Sequence, residues 1–376
     1  MIEAIGVIGG GQLGRMLTLV AKRMGYRVVV LDPQAHSPCG QVADEQIVAA
    51  YEDLDAIERL GKSTDIVTYE FENIAIESVE HLERRGYRVT PTSGVLAITQ
   101  DRVKEKIFVR ECGANTTDFA AVRSANGIAD AVAVVGIPAI LKTARGGYDG
   151  KGQWHIASAD TARAAVANTN GAALILERAV DFVCELSVIA TRASDDAIVT
   201  FPVAENVHDG GILVTTIAPA RVDDETARRA QAIARTIGSR LHIVGTYCVE
   251  LFLTRGGELL VNEIAPRPHN SGHFTIDATP CSQYEEHVRA ICDLPLSPPR
   301  MFSSAVMMNV LGDGTGNHLQ GTERLLEDPS IVLHVYGKRH AVARRKMGHV
   351  TMLVDGPVDE SALARATSAR AMLSWG

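Results

Sequence analysis

Between residues 4 and 31 the chain runs apolar strand, glycine turn, amphipathic helix and β-branched strand, an order that leaves few folds open. Residues 4–8 are apolar, Gly9-Gly10-Gly11-Gln12-Leu13-Gly14 follows, residues 12–24 carry apolar side chains at helical spacing, and 27–31 return to strand. Two strands joined through a helix lie parallel, which predicts a doubly wound α/β unit covered on both faces. The alternation continues with a helix over 53–60, a strand over 66–69 and a helix over 76–85. At Pro91-Thr92-Ser93-Gly94 it stops.

A charged helix over 101–111 opens a second region. From Pro138 strands dominate, at 139–143, 174–177, 185–191, 198–203, 212–217, 247–253 and 259–264, with helices at 161–167 and 225–239. That order reads as α+β with an antiparallel sheet. A proline-rich joint over 293–299 precedes a third stretch with strands at 305–310, 331–335 and 350–353. The expected domains are 1–95, doubly wound; 96–298, α+β; and 299–376, small and β-rich.

Composition narrows the function. With 46% hydrophobic and 22% charged residues the chain is neither disordered nor fibrous. Its net charge of −8 disfavours a nucleic-acid partner, which needs a basic face. No apolar run reaches the ~18 residues of a membrane span, and the start lacks a secretory pattern. Six scattered cysteines without CxxC spacing suit reduced thiols rather than a disulfide or zinc framework. A cytoplasmic protein is expected.

The glycine turn, with Asp32 ending the next strand, fits the dinucleotide fingerprint, in which backbone amides at a helix start approach an anion. A tight turn of any doubly wound fold fits equally well. The segment Gly146-Gly147-Tyr148-Asp149-Gly150-Lys151-Gly152 is a second glycine-rich turn, and its spacing is not that of a P-loop. Lys142, closing an otherwise apolar strand just before it, favours phosphate binding over a plain hairpin.

Glu250 and Glu263 are the most informative pair. If Gly256 and Gly257 form a two-residue hairpin loop, counting back sets Glu250 directly opposite Glu263. Two opposed carboxylates among Val249, Leu251, Val261 and Ile264 need a cation or a shared proton. Mg²⁺ held by carboxylates and substrate phosphates is the economical answer, with Mn²⁺ as an alternative. Asn262 points to the other face unless the strand bulges.

Next come Arg267, His269, Asn270 and His273. The two histidines have zinc-like spacing, but Pro266, Pro268 and Gly272 disfavour the helix that a zinc pair requires. A rigid loop offering Arg267, His269 and Asn270 to an anion is the better reading. Lys338, Arg344, Arg345 and Lys346 form the one dense basic stretch, either a phosphate site or solvated surface.

Taken together, Gly9–Met16, Thr68–Asn73, Gly146–Gln153, Asn262–Arg267, His269–His273 and Arg345–His349 resemble the ATP-grasp enzymes. Within them the strings resemble the N5-carboxyaminoimidazole ribonucleotide synthases of bacterial purine biosynthesis. The resemblance covers nearly the whole chain. It implies an ATP-grasp fold, a homodimer, and ATP- and bicarbonate-dependent carboxylation of 5-aminoimidazole ribonucleotide through carboxyphosphate.

On the ATP side it implies Arg102 and Lys142, a closing loop of Gly147, Tyr148, Asp149, Gly150, Lys151, Gly152 and Gln153, and an adenine segment Glu177-Arg178-Ala179-Val180. Glu185, His208, Asn262 and Glu263 complete that side, and Glu250 and Glu263 match the metal ligands. Gln12, Glu72, Tyr148, Asp149, Arg267, His269, Asn270, Lys338 and Arg345 would hold the ribonucleotide and the carboxylating intermediate. In this reading Lys151 and Arg267 offset phosphoryl and carboxyphosphate charge, and Glu72 or Asp149 orients or deprotonates the amine. The alternatives are another ATP-grasp carboxylate–amine ligase, a nicotinamide-dependent oxidoreductase using Gly9, Gly11, Gly14 and Asp32, or a nucleotide-binding homologue without chemistry.

Overall fold

The structure, a computed structural model, describes residues 2–124, 127–147, 152–167, 169, 171–314 and 316–376. The N-terminal alternation folds into a parallel sheet in the order Glu45–Ile47, Arg27–Leu31, Ala4–Ile8, Ile66–Tyr69. Its two central strands are apolar apart from the exposed Arg27 at one start, because both faces are covered. Leu54–Lys62 and Ile76–Arg84 cover one face through Ile57, Leu60, Val79 and Leu82. Gln12–Arg23 covers the other, joined by Gln283–Ile291 from far along the chain through Tyr284 and Val288. From that late helix His287 accepts the Thr246 N–H on Nδ1 and meets Thr68 Oγ1 with Nε2, both at 3.0 Å. Burial pushes its pKa down to about 3, so a neutral imidazole links two sheets.

Two large antiparallel sheets follow, besides a short antiparallel pair of Leu319–Gln320 with Ser374–Trp375. The smaller has the order Phe119–Val122, Leu174–Arg178, Ala139–Thr143, Gln153–Ile156, backed by Ile128–Val135 and Ala159–Ala167. The larger runs Leu259–Ala265, Gly245–Thr254, Phe182–Arg192, Ala204–Asp209, Ile212–Ala218, Ser304–Leu311, Lys346–Val354, Ile331–Val335, with Ile198–Thr200 beside Phe182–Arg192. It crosses the proline-rich joint, since Ile212–Ala218 pairs with Ser304–Leu311. The β-rich third stretch therefore extends the middle sheet, and packs its own core of Val310, Met347 and Met352 under Glu360–Arg370.

Helix starts follow from sequence. Asp53, Asp101, Asp223, Ser282 and Asp359 each accept backbone N–H groups of the first turn. All six cysteines are free. Among the described residues no helix is long and apolar enough to cross a membrane.

Candidate active site

The hairpin expectation reaches the correct pairing by a different path. Thr254 N–H donates to Glu258 O and Gly257 N–H to Thr254 O, both at 2.9 Å, so the loop holds three residues, with Gly257 at φ +76. That longer loop sets Leu251 opposite Val261, one step out of the expected register. A bulge at Asn262 then restores the step, and Glu250 faces Glu263. The bulge also lets Val261 and Ile264, three apart, enter one core with Val249 and Leu251.

The polar face of this ribbon continues across the sheet, because Phe252 pairs with Glu185 and Glu185 with Asn206. Glu185, Asn206, His208, Glu250 and Asn262 line one small cleft. Glu185 forms an ion pair with His208. Burial opposes charge on that imidazole, but the Glu185 contact and the nearby Glu250 raise its pKa overall.

Burial first, and the Glu263 carboxylate second, push Glu250 up to about 7. Partial burial opposes charge on Glu263 as well, yet Arg102, with Lys142 and Arg267 behind it, holds its carboxyl below the usual range. Asn262 Oδ1 is buried without a hydrogen-bond partner. Two facing carboxylates, one disfavoured as an anion, beside an unpaired amide oxygen are a hard-oxygen donor set that fits Mg²⁺ or Mn²⁺.

Cations tie this face to the smaller sheet. Arg102 donates through Nη1 to Glu263 Oε2 at 3.0 Å and through Nη2 to Gly147 O at 3.1 Å. Lys142 Nζ lies 2.7 Å from Glu177 Oε2, and Gln153 pairs with Lys142 on the neighbouring strand. Gly152 O accepts the Thr143 N–H at 2.9 Å, closing the near end of the glycine-rich loop. Tyr148, Asp149, Gly150 and Lys151 lie outside the described residues. Of the Glu177–Val180 segment, the Glu177 side chain turns inward to the lysines, the Arg178 side chain is exposed, and Ala179 N–H donates to Pro138 O at 3.0 Å.

Arg267 and Glu72 form a close, largely buried pair bridging the middle region to the parallel sheet. Burial opposes the Arg267 charge and Glu72 more than restores it, keeping the guanidinium firmly protonated. His269 Nδ1 accepts the Ser271 N–H at 3.3 Å and lies 2.8 Å from Ser271 Oγ, which directs Nε2 toward Glu250 Oε1 at 3.3 Å. Burial pushes this imidazole well below its ordinary range, so it is neutral. His273 instead stacks on His349, with ring centroids 4.6 Å apart. Asn270 exchanges both amide atoms with Asn309 in a buried bridge.

Lys338 donates to Lys346 O at 2.6 Å, and its charge reaches Glu70 beside the glycine turn, where Gln12 begins its helix. Arg345 is exposed. Arg344 pairs with Asp209 at 3.2 Å, and Lys346 is the basic residue whose charge reaches Glu250 and His269. Sequence reasoning passed over Glu70, Glu105 and Lys106, and placed Lys346 only within a basic stretch left open between phosphate site and solvated surface.

The four glycine amides of the turn already have acceptors within the protein, Gly9 N–H donating to Leu31 O at 2.9 Å. Glu70 accepts the N–H groups of Gly11 and Gly14, the latter at 2.7 Å, and Asp32 takes those of Gly10 and the Tyr51 hydroxyl, both at 2.7 Å. A Cβ on Gly11 would lie 2.3 Å from Glu70 Oε1, so glycine is required by the protein's own carboxylate. The nicotinamide alternative falls here. Glu70→Ala is expected to cost about 2–6 kcal/mol in urea unfolding, two orphaned N–H groups at roughly 1–3 kcal/mol each. An unchanged midpoint would contradict this.

A parallel-sheet domain in front of two antiparallel sheets, joined by buried cations beside paired carboxylates, defines an ATP-grasp ligase. The ATP-grasp domain model matches residues 107–284, between a ribonucleotide synthetase preATP-grasp domain at 2–100 and a phosphoribosylaminoimidazole carboxylase C-terminal domain at 305–362. The N5-carboxyaminoimidazole ribonucleotide synthase of Bacillus subtilis (strain 168) is 44% identical over 360 residues, 95% of this chain and 92% of that protein. The solved ADP complex of an N5-carboxyaminoimidazole ribonucleotide synthetase matches with TM-score 0.92 at 44% identity, covering 98% of this chain and 96% of that one. The Aspergillus clavatus N5-carboxyaminoimidazole synthase, in complex with ADP and 5-aminoimidazole ribonucleotide, gives 0.91 at 30% identity, with 98% of both chains covered. The chain belongs to the N5-carboxyaminoimidazole ribonucleotide synthase family.

Proposed function

We propose that the protein carboxylates the exocyclic amine of 5-aminoimidazole ribonucleotide with bicarbonate and ATP, as a step of purine biosynthesis. The carrying observation is the facing pair Glu250 and Glu263, set against Arg102 and Lys142. Arg102, Lys142 and Lys151 would receive the triphosphate, with Glu185 and His208 on the ribose side. Glu250, Glu263 and Asn262 would hold Mg²⁺, which when bound offsets phosphate charge as a Lewis acid.

Phosphoryl transfer asks mainly for alignment and charge neutralisation. A bicarbonate oxygen forms a bond to the γ-phosphorus, the bond to the β-bridging oxygen breaks, and ADP leaves. Arg267, held by Glu72 and shielded from water, stabilises the carboxyphosphate that forms. The amine nitrogen then bonds to the carboxyl carbon, phosphate departs, and the amine proton passes to Glu72 or Asp149. Gln12, Lys338 and Arg345 would hold the ribonucleotide. Two copies in solution belong to this reading, and light scattering tests that part.

Incubation with Mg-ATP, labelled bicarbonate and the ribonucleotide tests the chemistry. ADP release requiring all three, with label in an acid-labile product, is expected. Release driven equally by formate or an amino acid would point to another ligase.

A pH dependence follows from Glu250. Its folded pKa of about 7 lies above the unfolded carboxylate value, so the metal-free protein loses stability as pH rises through that interval. The cation competes with the same proton. Mg²⁺ dependence of ADP binding should therefore strengthen about tenfold from pH 6 to pH 8 by calorimetry, following the ionised fraction. A flat profile would contradict the assignment.

A further inference from the structure

We propose that Lys106, together with Glu105, is a positioning residue that sets the bulge aiming Glu263. Both lie on Arg102–Glu111, three and four residues after Arg102, hence on one helix face. Lys106 is 1% exposed and Glu105 2%, a burial that long charged side chains accept only for specific partners. Of its three N–H donors Lys106 gives one to Thr116 Oγ1 at 3.1 Å and one to Asn262 O at 3.2 Å, and its ammonium forms an ion pair with Glu177 Oε1 at 3.6 Å. Glu105 Oε1 accepts the Ile264 N–H at 2.7 Å.

The two contacts bracket Glu263. Asn262 is the extra residue of the bulge, and an extra residue leaves backbone groups without ladder partners. Leu259–Ala265 is also the edge strand of its sheet, and beyond an isolated bridge from Thr116 to Val261 no further strand among the described residues holds it from outside. The helix takes over that task, with Lys106 on the carbonyl before Glu263, Glu105 on the amide after it, and Arg102 on the carboxylate itself. Lys106 also sits beside Glu177, the partner of Lys142, and so fixes the phosphate-side lysine against the metal-side ribbon. Neither Glu105 nor Lys106 need touch substrate.

This clamp rests on the metal-and-nucleotide reading of the cleft, so the experiment measures that reading first. ADP binding is followed calorimetrically with and without MgCl₂ for the wild-type protein and for Lys106→Met, with melting curves and circular dichroism on both. The wild type is expected to bind ADP more tightly with Mg²⁺. In folded Lys106→Met that Mg²⁺ enhancement should shrink about 10–100-fold, the usual loss when a group supporting a metal ligand is removed. Metal-free ADP affinity should change much less, a split that a merely structural lysine would not produce. If Lys106→Met does not fold, the near-isosteric Thr116→Val removes one acceptor of the same ammonium, together with the Thr116 Oγ1 donation to Val261 O beside the bulge, and should move the enhancement in the same direction by less. A folded variant with wild-type enhancement, or one losing metal-free and metal-dependent binding equally, overturns the clamp. A wild-type protein whose ADP affinity ignores Mg²⁺ overturns the reading beneath it.

Discussion

Glu263→Gln should lower turnover by about 10³-fold or more with little change in melting temperature. The substitution keeps the shape and one carbonyl oxygen but removes the charge that Arg102 and its neighbours hold ionised. What remains is Glu250, which burial already disfavours as an anion. A divalent ion contributes several kcal/mol to charge development on a transferring phosphoryl group, and ~4 kcal/mol corresponds to three decades in rate. The side chain is 36% exposed, so the fold does not depend on it. Turnover within tenfold of wild type would remove Glu263 from the metal site.

Arg267 should give the second large effect, in two parts separated by two variants. Arg267→Ala leaves Glu72 as a buried carboxylate without its partner, and such losses cost about 3–5 kcal/mol of stability. Arg267→Lys keeps the charge while losing the planar fork, so it should melt nearer the wild type yet turn over about 10²–10³-fold more slowly, the range seen when one preorganised donor to a developing anion is lost. Uncoupled ATP hydrolysis in Arg267→Lys is the companion signature, because carboxyphosphate left unprotected decomposes. Full coupling at wild-type rate would assign Arg267 to structure alone.

Sequence patterning exposed the parallel sheet because its period is simple and the glycine turn marks a strand-to-helix step. The ribbon was harder. A two-residue loop and an unbroken strand gave the same Glu250–Glu263 pairing as the real three-residue loop plus bulge, since the two differences cancel. A signal was present: Leu259, Val261 and Ile264 change parity within one strand, which an unbulged strand with one buried face cannot do.

Glu105 and Lys106 went unnoticed for the opposite reason. Charges three and four apart on a helix ordinarily mark a wet face, and only the neighbouring ribbon makes this one buried. Glu70 was hidden similarly, because a carboxylate serving as the anion for a glycine turn looks, in sequence, like a turn awaiting a phosphate. Gln283–Ile291 shows the same limit at the level of the fold. Its partner helix lies more than two hundred residues earlier, and no local pattern announces that contact.

The central claim is that Glu250 and Glu263 hold one divalent ion against the phosphates of a nucleotide. Crystals grown with Mn²⁺ and ADP, measured for anomalous scattering, test it most directly. A single strong peak between the two carboxylates and within bonding distance of a phosphate oxygen is predicted. Bound ADP with no peak there, or with the manganese on other residues, would contradict it.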